Sequence, residues 1–421
     1  MSSSSLLLLV IFTPGILAML MGVCWVFGIP LTERITSRVT KAASLVLSLI
    51  ALKLGWDLLG STAPVTLNLG PWFQVGHHAF ELTYLVDHLS LPFVLATVML
   101  VGIIGSFSVR YIHRDPGFQR FFMLLHLFAF GALTVFTAGS LDLLIAGWEI
   151  IGITSVLLIG FFQYRPEPVR NARRVFGTYR VADLFILSAV FSAHHHLGGA
   201  SWTLINGTTG TLAASLAVLL VFAASGKSAQ GPFCGWLPRA MEGPTPSSAV
   251  FYGAISVHAG AYLLLRLEPV IQSSAIAVGL LLFIGVTTAL ITTLAQRTST
   301  DAKTSLAYAS QTQVSIIFIE IALGWETIAM IHIFGHIMLR TMQFLRAPSM
   351  LHDHHRVHSA SGGQLDSANS PLEAVVPGSL RLLLYRIGMG RGFYDALVDR
   401  FIIAPTHALA RFFGWFDKLL S

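Results

Sequence analysis

A handful of ionisable side chains interrupt stretches that are otherwise apolar, and their types are those that hold or exchange protons. Glu149 lies in "LLIAGWEIIGITSVLLIGFF", Lys227 in "LAVLLVFAASGKSAQGP" and His258 in "FYGAISVHAGAYLLLR". Arg180 and Asp183 stand three apart in "FGTYRVADLFILS", which puts them on one helix face within pairing reach. Lys303 begins "DAKTSLAYASQTQVSIIF" beside Asp301, with Glu320 further along the same segment. His332, His336 and Arg340 recur every four residues and so project from one stripe. A charge at the centre of a bilayer costs about 2.5–3.5 kcal/mol by the lowest scales, so residues of this kind either pair, snorkel to water or mark an ion path. Burial draws carboxylate and amine pKa values together, which lets a buried amine switch charge with a movable carboxylate. The chemistry open to this set is translocation of a proton or another small cation.

The residues after Lys227 add a second element. In "GKSAQGP", Pro232 removes a backbone donor and Gly231 loosens the helix, so carbonyls are freed at mid-membrane depth. Irregular backbone is tolerated there only where it lines a hydrated cavity or is covered by protein. Lys227 is therefore predicted to sit at a hinge in an ion path.

The elements that must hold these residues follow from composition. Of 421 residues, 54% are hydrophobic and only 11% are charged, against about 25% charged in a soluble domain. This excludes an ordinary soluble enzyme and predicts an all-α polytopic membrane protein. About eleven segments are long enough to cross a bilayer. They fall near 5–29, 37–60, 85–109, 119–138, 141–163, 174–197, 211–234, 246–266, 271–295, 304–323 and 326–346. The N-terminal apolar run lacks a basic leader region and reads as a retained first helix. Arginines and lysines concentrate in alternate connections, among them Arg34, Arg38, Arg110, Arg114, Arg165, Arg170, Arg239, Arg297 and Arg346. By the positive-inside rule those connections are cytoplasmic, the N-terminus is periplasmic and the C-terminus is cytoplasmic in a bacterial inner membrane.

The domain reading is 1–84 for N-terminal helices, 85–347 for the translocation core, 348–390 for a flexible cytoplasmic linker and 391–421 for an amphipathic helix. That last stretch carries Arg391, Asp395, Asp399, Arg400, Arg411, Asp417 and Lys418 at helical spacing, too charged for a comfortable span, and is expected at the membrane surface or against a partner. The histidine tracts 194–196 and 352–355 with His358 are read as loop positions without the fixed geometry a metal site needs. Cys24 and Cys234 read as small buried hydrophobes, so neither a metal nor a cofactor is expected in this chain. The pI near 9.5 points to basic loops against anionic lipid, not to nucleic acid.

In order and spacing, "LLIAGWEIIGITSVLLIGFF", "SAQGPFCGWLPRAMEGPTPSSA", "DAKTSLAYASQTQ" and "HIFGHIMLRTMQFL" resemble the antiporter-like subunits of respiratory complex I, nearest the NuoL type. The same superfamily holds MrpA-type cation/proton antiporter and membrane-bound hydrogenase subunits. "VDHLSLPFVLATVMLVGIIGSFSVRYIHRDPGFQRFF" extends the resemblance over roughly residues 85–347. It implies that Glu149 and Lys227 form the family's charge pair, that Asp183 with Arg180 modulates it, and that Lys303, His332 and His336 belong to the central proton route. Two positions depart from the pattern: Tyr252 occupies the family's eighth-helix histidine position, with His258 lower in the same helix, and Arg340 replaces a lysine. The helices that follow in the family, with its exit lysine, are absent from this sequence.

The "VFYGAISVHAGAYLLLR" form of the eighth helix and the truncated end make the chain most similar, among short relatives, to the DabB type, the membrane subunits of DabA–DabB inorganic carbon transporters. That resemblance implies a non-enzymatic subunit conducting H+ or Na+ down its gradient. Its partner would be a large cytoplasmic DabA-like protein with a carbonic-anhydrase-like zinc site, for accumulation of CO2 as bicarbonate. The alternative is a proton-pumping subunit of a complex I, hydrogenase or Mrp-type assembly.

Overall fold

The structure is a computed structural model that describes residues 2–61, 63–75, 78–361, 376–394, 396, 400 and 404–420. It is built almost wholly of helices. In chain order these are α1 (Ser3–Val26), α2 (Glu33–Leu59), α3 (Ser90–Tyr111), α4 (Phe118–Thr137), α5 (Leu141–Ile159), α6 (Pro166–Leu197) and α7 (Gly210–Lys227). There follow α8 (Thr245–Arg266), α9 (Ala275–Thr298), α10 (Ala302–Ala322), α11 (Glu326–Ser361), α12 (Gly378–Met389) and α13 (Ala404–Leu420). Ten helices among the described residues are long and apolar enough to cross a membrane. Helix α10, at the position of the tenth predicted span, is not one of them, because Lys303, Gln311, Thr312, Gln313 and Ser315 dilute its apolar content. Between α2 and α3 lies an antiparallel hairpin, β1 (Val65–Val75) with β2 (His78–Val86), which the reading of segments did not foresee.

Successive spans reverse direction, and contacts between their ends identify two faces. On the arginine-rich face Glu33 accepts from the Arg114 backbone at 2.8 Å, Arg165 meets Glu242 at 3.7 Å, and Tyr111 bonds Thr245 at 3.1 Å. On the opposite face Arg266, at the end of α8, grips Asp87 with both guanidinium nitrogens at 2.5 and 3.1 Å. Asp87 also caps α3, accepting from the Ser90 backbone at 2.9 Å while Ser90 Oγ accepts from the Asp87 backbone at 2.9 Å.

Helix α8 is the axle of the bundle and is wholly buried. Its sequence is rich in Ser, Ala and Gly, so neighbours come close: a Cβ at Gly260 would stand 2.5 Å from the Ala224 carbonyl oxygen of α7. Residues Ser248–Ile255 are π-helical, a widening that often marks functional sites. Phe93 joins α3 to Phe136, Tyr262 and Phe334 at ring distances of 4.8, 5.1 and 5.2 Å, which ties four helices together at one end of the bundle. Helices α1, α2 and α9 bury only about a third of their spans and turn the rest outward.

Several boundaries differ from the sequence reading. Helix α6 starts at Pro166, eight residues early, since proline suits a first turn. The tract His194–His196 is the last turn of α6, not a loop; the helix stops only at Gly198, whose φ of 75° is left-handed. Helix α11 runs on to Ser361, so residues 352–358 also lie in a helix and not in a flexible linker. The stretch assigned to that linker further holds α12. Of the stretch 391–421, residues Ala404–Leu420 form helix α13, while Asp395 and Asp399 lie outside the described residues.

Candidate functional site

The site begins where α7 stops. Predicted to run to residue 234, α7 ends at Lys227 because Ser228 leaves helical geometry and Ala229 takes a left-handed φ of 54°. The Gly231–Pro232 bond that follows is cis. The freed backbone groups are covered by side chains, as membrane burial demands. Gln311 donates to the Ala229 carbonyl at 3.0 Å and Thr288 accepts from the Gly231 amide at 3.0 Å, while Ser228 Oγ donates outward to the Val257 carbonyl of α8 at 2.7 Å. Gln230 is held in turn by Ser315 Oγ at 2.6 Å.

The Lys227 side chain is 2% exposed. Its ammonium donates to the Trp148 carbonyl at 2.9 Å and lies over the rings of Trp148 and Tyr179 at 4.7 and 4.8 Å. The expected direct pair with Glu149 is not formed: the Arg180 guanidinium takes Glu149 and, at 2.8 Å, Asp183. The geometric reason is helix phase. Trp148 and Gly152 share the face of α5 toward Lys227, whereas Glu149 is rotated by about 100° from Trp148 toward α6. Asp183 is the link between the groups, since its other oxygen accepts from the Trp148 indole at 3.0 Å. Arg180 and Glu149 are 39% and 27% exposed at the side chain, so this end of the cluster opens on the outer surface of the bundle.

Inward of Lys227 the polar thread continues through hydroxyls. Tyr179 faces Ser155 and Ser256. All three hydroxyls are buried and face one another, short of ideal hydrogen-bond geometry. Two residues along α8 from Ser256, and about 200° round the helix, His258 belongs to a chain of imidazoles. His336 Nδ1 lies 3.0 Å from His258 Nε2, Arg340 Nε lies 3.4 Å from His336 Nε2, and His258 Nδ1 bonds the Ala254 carbonyl. A carbonyl only accepts, so with neutral rings His258 carries its proton on Nδ1, His336 donates from Nδ1, and His336 Nε2 accepts from Arg340. Every proton in the chain points one way.

The remaining candidates stand apart from that chain. His332, one turn before His336, meets Glu320 at 2.9 and 3.1 Å through Nδ1 and Gln313 at 2.9 Å through Nε2. Glu320 is thus a partner for an intramembrane histidine. Lys303 is at the start of α10, where it donates to the carbonyls of Met241 and Gly243 at 2.6 and 2.9 Å, far from the histidine chain in sequence and held at the arginine-rich face. Tyr252 donates to the Ser155 carbonyl at 3.3 Å. Sequence reasoning missed Trp148, Ser155, Tyr179 and Ser256, because single hydroxyls and rings in apolar helices are ordinary. The one available signal was spacing: Trp148, Gly152 and Ser155 fall on a single helix face.

Known proteins place this arrangement in context. Residues 138–375 match the family described as NADH:quinone oxidoreductase/Mrp antiporter, TM, and residues 72–122 match NADH-Ubiquinone oxidoreductase (complex I), chain 5 N-terminus. NADH-ubiquinone oxidoreductase chain 5 of Allomyces macrogynus is 29% identical over 388 residues, covering 88% of this chain and 60% of that one. Chain 5 of Neurospora crassa is 31% identical over 293 residues, covering 69% and 41%. The chain spans about half the length of the curated relatives it matches. Among solved structures, the Mrp complex from Dietzia sp. DQ12-45-1b aligns with a TM-score of 0.72 at 23% identity, over 94% of this chain and 43% of that one. The membrane-bound sulfane sulfur reductase, an archaeal respiratory membrane complex, aligns at 0.73 and 18% identity, over 94% and 86%. These two establish a shared fold. The first match spans more than half of the 421 residues and every relay candidate, so the chain belongs to the NADH:quinone oxidoreductase/Mrp antiporter transmembrane family.

Proposed function

We propose that this chain is an ion-translocating subunit of a larger membrane assembly and that the ion is the proton. The observation that carries this reading is a pair of polar clusters inside an apolar bundle, Glu149, Arg180, Asp183 and Lys227 in one and His258 with His336 in the other. Proton exchange needs partners within hydrogen-bond reach and a way to pass charge without exposing it to lipid. Here Asp183 links the Arg180 ion pairs to the Trp148 that also holds Lys227. The buried hydroxyls of Ser155, Tyr179 and Ser256, on the Tyr179 side of Lys227, are polar groups that water could join to the histidines. Lys303 and His332 would load the route from the side. A break after Lys227 gives the lysine a backbone able to shift it between Asp183 and the hydroxyls.

Coupling to a redox or Mrp-type assembly is favoured over inorganic carbon accumulation, because the matched relatives are named as complex I chain 5 and the aligned structures as Mrp and respiratory complexes. The test is to isolate the assembly from its membrane in mild detergent, identify what stays bound, and reconstitute it in vesicles. A set of hydrophobic subunits with iron–sulfur or Mrp-type chains is the expected result; one large zinc protein would restore the DabA-like partner and bicarbonate uptake. In vesicles under an imposed pH gradient, Lys227→Ala should assemble normally and lose proton flux by about 100-fold or more, the scale of one positioned acid–base group. Undiminished flux would refute the relay.

A further inference from the structure

A second site stands apart from the relay, on the arginine-rich face where α12 docks on α9. The docking is close because Gly388 has no side chain: a Cβ there would lie 2.7 Å from the Leu294 carbonyl oxygen. Toward the start of α12 the two helices part and enclose a cavity of about 390 Å³. Its polar wall is Arg297 and Thr298 from α9 with Arg381 and Tyr385 from α12, and its floor includes Leu294 and Leu384. No described carboxylate pairs with Arg297 or Arg381.

Three features fix what such a cavity takes. Arg297 is in the last turn of a membrane-spanning helix, which sets the two guanidinium groups at head-group depth. Below it α9 turns Phe283 and Leu290 outward at 65% and 63% exposure, a surface fit for hydrocarbon. Helix α12, "GSLRLLLYRIGM", carries two arginines, no acidic residue and exposed Leu380, Leu382, Leu383 and Tyr385, the make-up of a helix lying in an anionic interface. We propose that this cavity binds an anionic phospholipid, with the phosphate between Arg297 and Arg381 and an acyl chain over Leu294 and Leu384. The lipid would fasten the tail helix to the bundle. Guanidinium forks match phosphate oxygens in geometry as well as charge, and the apolar floor separates a lipid from a free anion.

The test titrates the purified assembly, in a neutral detergent, with phosphatidylglycerol, phosphatidylcholine or inorganic phosphate, and counts bound lipid by native mass spectrometry. Saturable phosphatidylglycerol binding is expected, weakened about fivefold by Arg297→Ala and again by Arg381→Ala, at about 1 kcal/mol for each basic group near the surface. Arg381→Lys should keep most of it, and Arg170→Ala, whose guanidinium already has Glu167 at 3.0 Å, should keep all of it. Equal binding of phosphatidylcholine, occupation by inorganic phosphate in place of lipid, or indifference to both arginine variants would each overturn the proposal. Failure here would leave the proton relay standing, because flux through Lys227 is measured separately.

Discussion

Two polar clusters inside one apolar bundle solve the burial of ionisable groups in different ways. At α5–α6–α7, charges neutralise one another: Arg180 stands between Glu149 and Asp183, and Lys227 rests on a carbonyl and two aromatic faces. At α8–α11, neutral rings hand hydrogen bonds along, from Arg340 through His336 and His258 to the Ala254 carbonyl. The first cluster opens at its Arg180 end on the bundle surface; the second is enclosed, with His258 fully buried and His336 4% exposed. A cluster of ion pairs stores charge and responds to a neighbouring subunit or solvent. An enclosed chain of tautomers carries a proton but holds no spare charge. Under the proposed function, the first cluster would switch and the second would conduct.

If the two act in series, removing either stops flux, and removing both does no further harm. His258→Ala takes away the acceptor of His336 Nδ1, and proton flux in vesicles should fall about 100-fold. The double variant with Lys227→Ala should be no slower than the worse single one, the non-additivity expected of groups that work as a unit. Flux that survives His258→Ala would break the assignment of conduction to the histidines. Next in size is an effect on stability. Arg180→Ala leaves Asp183, which is 4% exposed, without its directly paired guanidinium, and should lower unfolding free energy by about 3 kcal/mol, the low end for breaking a buried pair because Arg180 itself is partly exposed and Lys227 remains nearby. Thermal melts in detergent check it, and adding Asp183→Asn should recover part of the loss. Full stability of Arg180→Ala would mean the first cluster does not hold its charges by pairing.

The smallest effect concerns a pair outside both clusters. Burial pushes the Asp87 carboxyl up, but the Arg266 guanidinium and the Ser90 groups outweigh it and hold the carboxyl below its ordinary value. A carboxyl depressed by folding adds stability above its unfolded pKa of about 3.9, and that contribution is lost as pH falls through the lower folded value. Asp87→Asn should cost about 2 kcal/mol at neutral pH, the worth of a charged hydrogen bond, and should flatten the acid limb of a pH–stability curve. Its proton flux should be unchanged, which separates stability from conduction; a flux loss matching Lys227→Ala would extend the route to the opposite face.

Much of this was legible in residues. Apolar run length fixed the spans, since a bilayer asks for a set number of turns, and the isolated charges within them were conspicuous for their cost. Spacing alone paired Arg180 with Asp183, because three residues on a helix make neighbours. The helical state of residues 194–196 and 352–358 was hidden: polar histidines lack the period that marks a buried face, and a helix already under way extends through them at little cost. The carbon-transport reading rested on overall likeness more than on any motif, and relatives matched over most of the chain outweigh it.

The sequence by itself determined a polytopic helical bundle of this family, a helix broken after Lys227 and a set of intramembrane groups able to move protons. These depend on local chemistry: hydrophobicity, proline and glycine geometry, and the cost of buried charge. Only the tertiary structure decided who partners whom. It turned Glu149 to Arg180 instead of Lys227, joined His258 to His336 across residues far apart in the chain, and brought the Tyr179 hydroxyl against those of Ser155 and Ser256. Those relations follow from helix rotation and packing, which depend on contacts distant in sequence and leave no periodic trace in it.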